Sequence, residues 1–138
     1  MQISERFTVA VHILACVKYF EGTHLITSEF LAGSIGVNAV IVRRVLLQLK
    51  KAGMISITKG RGGICLAKPV EDITLYDVYT AVEAVGAGGL FRFHGSPNPE
   101  CPVGGKIHIA LDGSLMDIQG AFEARMKQIR MSDITAAI

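Results

Sequence analysis

The basic side chains of this chain are gathered where they can act together. Between Glu29 and Glu71 there is no acidic residue, while Arg43, Arg44, Lys50, Lys51, Lys59, Arg61 and Lys68 supply seven of the 14 Lys and Arg residues. The remaining basic residues are outnumbered by the 12 Asp and Glu residues, so a strongly basic segment sits inside an otherwise acidic chain of net charge +2. Such a segment is the electrostatic footprint of a polyanion site. A solvated basic face with no partner has the same composition. Thiol and imidazole groups are the second source of chemistry. Cys101 is followed by Pro102 and then by a helical pattern, and thiolates near helix N-termini are stabilised by backbone amides. Glu100 opposes that shift. Cys101 is therefore a candidate redox or electrophile sensor. His94, Cys101 and His108 are a conceivable metal set, but their spacing matches no strong zinc pattern, and no metal ligand is assigned. An enzyme with Cys101 as nucleophile and His94 or His108 as base lacks a recognisable third, orienting member, so no catalytic residue is assigned either.

Length and composition narrow the class. A chain of 138 residues is about one domain. Half of it is hydrophobic, and the mean hydropathy of +0.42 is high for a soluble chain. The longest uncharged apolar run near the start, Phe7 to Val17, is far short of the roughly 20 residues of a spanning helix. No basic start followed by a cleavable apolar segment is present. Three cysteines without a disulfide-like spacing read as a reducing cytoplasm. The excess apolar surface is expected in a subunit interface.

The elements that must position the basic groups follow from periodicity. Ile3 to Phe20 has helical spacing with Gly22 as a stop. On it His12 and Cys16 read as a core cysteine beside a satisfied histidine. Thr27 caps a short helix from Ser28 to Ile35, Gly36 permits a tight turn, and Asn38 caps a second helix running to about Ala52. Helix, short glycine turn, helix is the helix-turn-helix arrangement. In the second helix Ile41, Val45, Leu46 and Leu49 are expected inward. Asn38, Ala39, Val40, Arg43 and Arg44 then form the end that such a helix presents to base edges. Met54 to Thr58 and Ile64 to Ala67 read as strands around the basic tip Lys59-Gly60-Arg61-Gly62-Gly63. A strand–tip–strand unit is a wing, not a phosphate-cradling loop, which joins a strand to a helix. Lys59 and Arg61 suit a phosphate backbone or a narrow minor groove. Thr74 caps a further helix from Leu75 to about Ala84, with Leu75, Val78, Tyr79 and Val82 inward. The segment around Gly86 to Phe93 is a candidate pocket lining with no ligand specified. Ile107, Leu111, Leu115, Ile118, Phe122, Arg125/Met126 and Ile129 recur at steps of about four and three, a heptad-like seam on a helix roughly 35 to 40 Å long. That seam calls for a two-fold partner.

Taken together these stretches resemble the winged-helix transcription regulators of the IscR/NsrR/CymR type, the Rrf-two family. The resemblance is carried by Ile3-Ser4-Glu5-Arg6-Phe7-Thr8-Val9-Ala10-Val11, by Val45-Leu46-Leu47-Gln48-Leu49-Lys50-Lys51-Ala52-Gly53-Met54, by the wing tip, and by Ile73-Thr74-Leu75-Tyr76-Asp77-Val78 with Ala81-Val82-Glu83. It implies a homodimer on a palindromic operator, usually a repressor. Two departures stand out. The tip is one residue shorter than the family's arginine-glycine-x-x-glycine-glycine pattern and begins with Lys59. Family members with an iron–sulfur cluster carry three cysteines in the loop before the long helix, whereas this loop holds only Cys101. A cluster needs several convergent thiolates, so an iron–sulfur centre is disfavoured and no cofactor is expected. Only a ligand set shared between subunits would supply one.

The expected architecture is mainly α with a small β-wing. It comprises a winged helix-turn-helix domain over residues 1–84, an effector or sensor loop over 85–105 and a dimerisation helix over 106–131. The expected partners are double-stranded DNA and a second copy of the chain, with no membrane. The DNA-contact residues are Ser28, Asn38, Val40, Arg43, Arg44, Lys59 and Arg61. Arg43 or Arg44 is suited to guanine, because a planar guanidinium binds O6 and N7 together. The dimer face is Ile107, Leu111, Leu115, Ile118, Phe122 and Ile129. The alternative function is a winged helix that binds protein and not DNA.

Overall fold

The computed structural model describes residues 3–58, 63–83 and 89–138. Helices α1 (Glu5–Tyr19), α2 (Ser28–Ile35) and α3 (Ala39–Lys51) are followed by strands β1 (Ile55–Thr58) and β2 (Gly63–Leu66). A 3₁₀ turn (Val70–Asp72) leads to α4 (Leu75–Val82), α5 (Ile107–Gln128) and α6 (Met131–Ala136). The architecture is that of a winged helix: mostly helical, with one two-stranded antiparallel sheet. The chain forms two compact units. One is residues 85–125, and the other joins residues 2–84 to residues 126–138.

The larger unit is built on α1. Val9, Ala10, Ile13, Leu14, Ala15, Cys16 and Val17 are all buried, and α2, α3, α4, α6 and β2 pack on this helix. His12 Nε2 and Cys16 Sγ both meet Ser34 Oγ of α2, at 3.0 and 3.3 Å. The pair is thus a satisfied link between α1 and α2. Thr27 Oγ1 caps α2 by accepting from the Phe30 amide at 3.1 Å. Gly36 ends it at φ +79°, a left-handed conformation that glycine adopts at little cost. Asn38 Oδ1 caps α3 by accepting from the Val40 amide at 2.8 Å. The two helices meet at 112°, within the usual range for a helix-turn-helix. The inner face of α3 is Val42, Val45, Leu46 and Leu49, a strict helical repeat. Ile41, expected inward, is 42% exposed; with Leu46 and Leu49 fixed in the core, the repeat brings Val42 round instead.

The wing is held by the loop before α2. Strand pairing sets Ile55 against Leu66 and Thr58 against Gly63, and the Ile64 amide donates to the Ile26 carbonyl at 3.0 Å. At Gly63 the backbone has φ +60°, and a Cβ would sit 2.8 Å from the Ile26 oxygen. Further on, Thr74 and Asp77 form a reciprocal capping box at the start of α4, and the Glu83 carboxylate just past its end accepts from the Ser4 amide at 3.0 Å.

The C-terminal part departs from expectation. The long helix ends at Gln128, and Ile129 leaves the dimer seam. Its carbonyl accepts from the Leu75 amide at 2.8 Å, and the Met131 amide donates to the Ile73 carbonyl at 2.7 Å. A short bridge pairs Thr74 with Arg130, and Met131 is fully buried. Backbone hydrogen bonds and burial together outweigh continuation of a helix whose outer face would be wet. Residues 126–138 therefore complete the unit begun by residues 2–84, and the expected 106–131 stretch is divided. In the remainder of α5, Ile107, Leu115 and Phe122 are half-buried. Leu111 and Ile118 are 38% and 54% exposed, and Ile109 and Met116 still more so. Among the described residues no single helix is long and apolar enough to cross a membrane.

Gly63→Ala combines a disfavoured backbone with a collision against carbonyl oxygen. It is expected to cost about 1–3 kcal/mol, read as a lowered denaturant midpoint with unchanged slope. Gly33→Ala, in open space on α2, should be neutral or stabilising in the same assay.

Candidate nucleic-acid interface

Helix α3 presents two exposed stripes, because residues three, four and seven apart share a face. One runs Val40, Arg43, Leu47, Lys50; the other runs Ile41, Arg44, the half-buried Gln48, and Lys51. Their arginines line different clefts, with Leu47 on the ridge shared by both. Arg43 and Leu47 line a cleft of about 420 Å³ with Ser28, Glu29, Thr58 and Gly63, between α2 and the wing. Arg44 lines a second cleft of about 650 Å³ with Ile41, Gln48, Ser4 and Arg6, against the start of α1. Ser28 and Arg43 are therefore brought together beside the wing, and Arg44 is not part of that group. Asn38 is exposed but its side-chain oxygen is engaged as the α3 cap. Val40 is 49% exposed, an apolar side chain suited to a thymine methyl. Lys50 and Lys51 occupy the last turn of α3, where cations complement the helix dipole. Lys59 and Arg61 lie outside the described residues; the strand ends flanking them, Thr58 and Gly63, line the Arg43 cleft.

Sequence reasoning missed Glu29. Its Oε1 accepts from Arg43 Nη2 at 2.6 Å, with 67% and 53% of the two side chains exposed. Its Oε2 accepts from Ser28 Oγ at 3.2 Å. Its own backbone amide first, then the Arg43 guanidinium and the Ser28 hydroxyl, hold the carboxyl below the usual carboxylate range. The available signal was the position of Glu29 in the first turn of α2, across the turn from the first basic residue of α3.

In the smaller unit Cys101 sits in a tight loop, half-exposed. Its amide donates to the Asn98 carbonyl at 3.2 Å, and its carbonyl accepts from the Gly105 amide at 2.8 Å. The Gly104 and Val103 amides favour the thiolate and pull the thiol below its ordinary pKa. The stabilisation comes from this loop rather than from the first amides of α5. Phe93 packs on the His108 ring, with centroids 4.5 Å apart. His94 meets His108 edge-on at 5.2 Å. Residues 86–88 of the expected pocket segment lie outside the described residues.

A family model described as Rrf2, iron-dependent transcriptional regulator, matches residues 3–137. YwnA of Bacillus subtilis (strain 168), named as an HTH-type transcriptional regulator, is 39% identical over 132 residues, covering 96% of both chains. A crystal structure described as a DNA-binding protein superposes with a TM-score of 0.72 at 36% identity, covering 94% of this chain and 97% of that one. CymR (YrzC), the global cysteine regulator of B. subtilis, superposes with a TM-score of 0.75 at 15% identity, covering 100% and 98%, a likeness of fold alone. Among the described residues no group of three His, Cys, Asp or Glu side chains is arranged to hold a metal ion. Cys16 is buried against Ser34 and Cys65 lies on β2, so neither belongs to the Cys101 loop. With its winged helix-turn-helix, its basic α3 and a family match across nearly its whole length, this chain belongs to the Rrf2 family of transcriptional regulators.

Proposed function

We propose that the protein is a cytoplasmic homodimeric regulator that represses transcription from a palindromic operator, with α3 in the major groove and the wing against the backbone or minor groove. The observation that carries this reading is the capped, exposed, basic α3 held at 112° to α2 beside the wing. Its phosphate contacts come from Arg44, Lys59 and Arg61, and its base contacts from the Val40–Arg43 stripe. Gel shift on duplex DNA at stepped salt tests it. The wild type should bind with a steep salt dependence, and Lys59→Ala with Arg61→Ala should weaken binding to every sequence and flatten the slope by about two counterions. Binding without salt dependence would favour a protein-interaction module.

The dimer reading is supported by α5, in which Met126 is the one buried residue of 22. Leu111 and Ile118 lie seven residues apart and leave an apolar edge uncovered, and pairing two such helices removes it from water. Sedimentation should show a dimer at micromolar concentration, and Leu111→Glu with Ile118→Glu should yield folded monomers of much lower DNA affinity.

Cys101 is proposed as the sensor, without an iron–sulfur cluster and without a catalytic role. A thiol whose pKa is lowered stays ionised, and so reactive, to lower pH than an ordinary thiol. Alkylation of Cys101, followed by mass spectrometry across pH, should have its midpoint below that of an unstructured thiol peptide. Oxidant should release DNA from the wild type and not from Cys101→Ser; a variant that still responds would remove Cys101 from the mechanism.

A further inference from the structure

The Glu29–Arg43 pair is the sole ion pair linking α2 and α3 among the described residues. It stands on the face that the regulator reading gives to DNA. A carboxylate there is costly on electrostatic grounds, because it repels phosphate and cancels one of the seven cations of the basic segment. A neutralised arginine contributes little to general attraction for the backbone. It keeps its geometry, however. Guanidinium has five N–H donors, and one contact through Nη2 leaves four, enough for the two-point recognition of guanine O6 and N7. An unrestrained arginine must lose much side-chain freedom to make that contact; a guanidinium already tied to Glu29 loses less. Glu29 is itself tied, by the Ser28 hydroxyl and by its place in the first turn of α2, where an anion is favoured. Arg44 differs on each count: it faces the other cleft, and no carboxylate lies within ion-pair distance of it among the described residues.

We infer that Glu29 is a specificity-determining positioning residue, which holds Arg43 across the helix turn so that Arg43 reads a guanine while Arg44 supplies unselective phosphate attraction. This inference rests on the DNA-binding reading above. It assigns opposite consequences to two adjacent arginines.

The test is selection from a duplex pool with a randomised centre, run in parallel on the wild type, Glu29→Ala, Glu29→Gln, Arg43→Ala and Arg44→Ala. Melting temperatures are measured beside it; the Glu29 side chain is exposed, so its loss should lower them only slightly. The wild type should enrich a two-fold symmetric sequence with a guanine at one symmetric pair of positions. Arg43→Ala and Glu29→Ala should lose preference at that same pair, by about tenfold for each half-site, and a protein carrying both substitutions should lose no more than either. Glu29→Gln, which keeps an acceptor oxygen, should retain part of the preference. Glu29→Ala should also bind random duplex more tightly with a steeper salt slope, and Arg44→Ala should keep the sequence preference while binding all duplexes more weakly. An unchanged preference in Glu29→Ala would reduce Glu29 to an electrostatic brake and overturn the inference. Loss at a pair of positions that Arg43→Ala retains would mean that Glu29 contacts a base itself, and would overturn it equally. Failure of the wild type to enrich any sequence would overturn the DNA reading and this inference with it.

Discussion

Helix α1 gives seven residues to the interior along three successive turns, so its neighbours must cover it from several directions at once. Each fully buried Val, Ile or Leu contributes about 1.5–3 kcal/mol on the usual area scale. Moving any neighbour off this helix would expose several of them together. The angle between α2 and α3 is therefore not set by their turn alone. Gly36 permits it, Ser34 pins α2 to His12 and Cys16, and the buried stripe of α3 closes on the remaining side. The presentation of the outer face of α3 is a by-product of that enclosure. No buried polar or charged residue interrupts it among the described residues, so little in the core competes with this one arrangement.

Upon this frame the basic segment is sorted into parts with different work. Helical geometry alone separates Arg43 from Arg44 by about 100° around α3, and packing on opposite flanks turns that separation into two clefts. Net charge and its clustering describe the attraction of such a surface for a polyanion, but not how it divides into groups that attract and groups that discriminate. In the inference drawn above, a single acidic side chain on a neighbouring helix makes that division.

Much of the larger unit was legible in the sequence because its signals are local. Thr27, Asn38 and Thr74 act as caps where their types and positions indicated, Gly36 makes the turn, and the strands of the wing flank the basic tip. The inner face of α3 was read one position off, since Ile41 and Val42 both fit an apolar repeat, and only the fixed position of Leu46 and Leu49 decides between them. The Glu29–Arg43 pair was not legible, because it joins residues 14 apart in sequence through a turn whose angle is a tertiary property. Nor was the fate of Ile129. A heptad-like pattern continues through it, and nothing local announces that Leu75 and Ile73 offer backbone partners. The sequence pointed to the amides of the following helix as the influence on Cys101, whereas the lowered thiol owes its shift to the Gly104 and Val103 amides of a tight loop.

The return of the chain at Ile129 has a consequence for biosynthesis. The unit that carries α3 is discontinuous: Met131 belongs to the same core as Ile13 and Leu31, yet more than forty residues intervene after α4. A nascent polypeptide that has emerged only as far as α5 exposes the seat that Met131 fills, and leaves the carbonyl of Ile73 and the amide of Leu75 to water. The unit that carries α3 is thus finished only after α5, the proposed dimer helix, has been made, which leaves prematurely terminated chains with an open core for proteases to find.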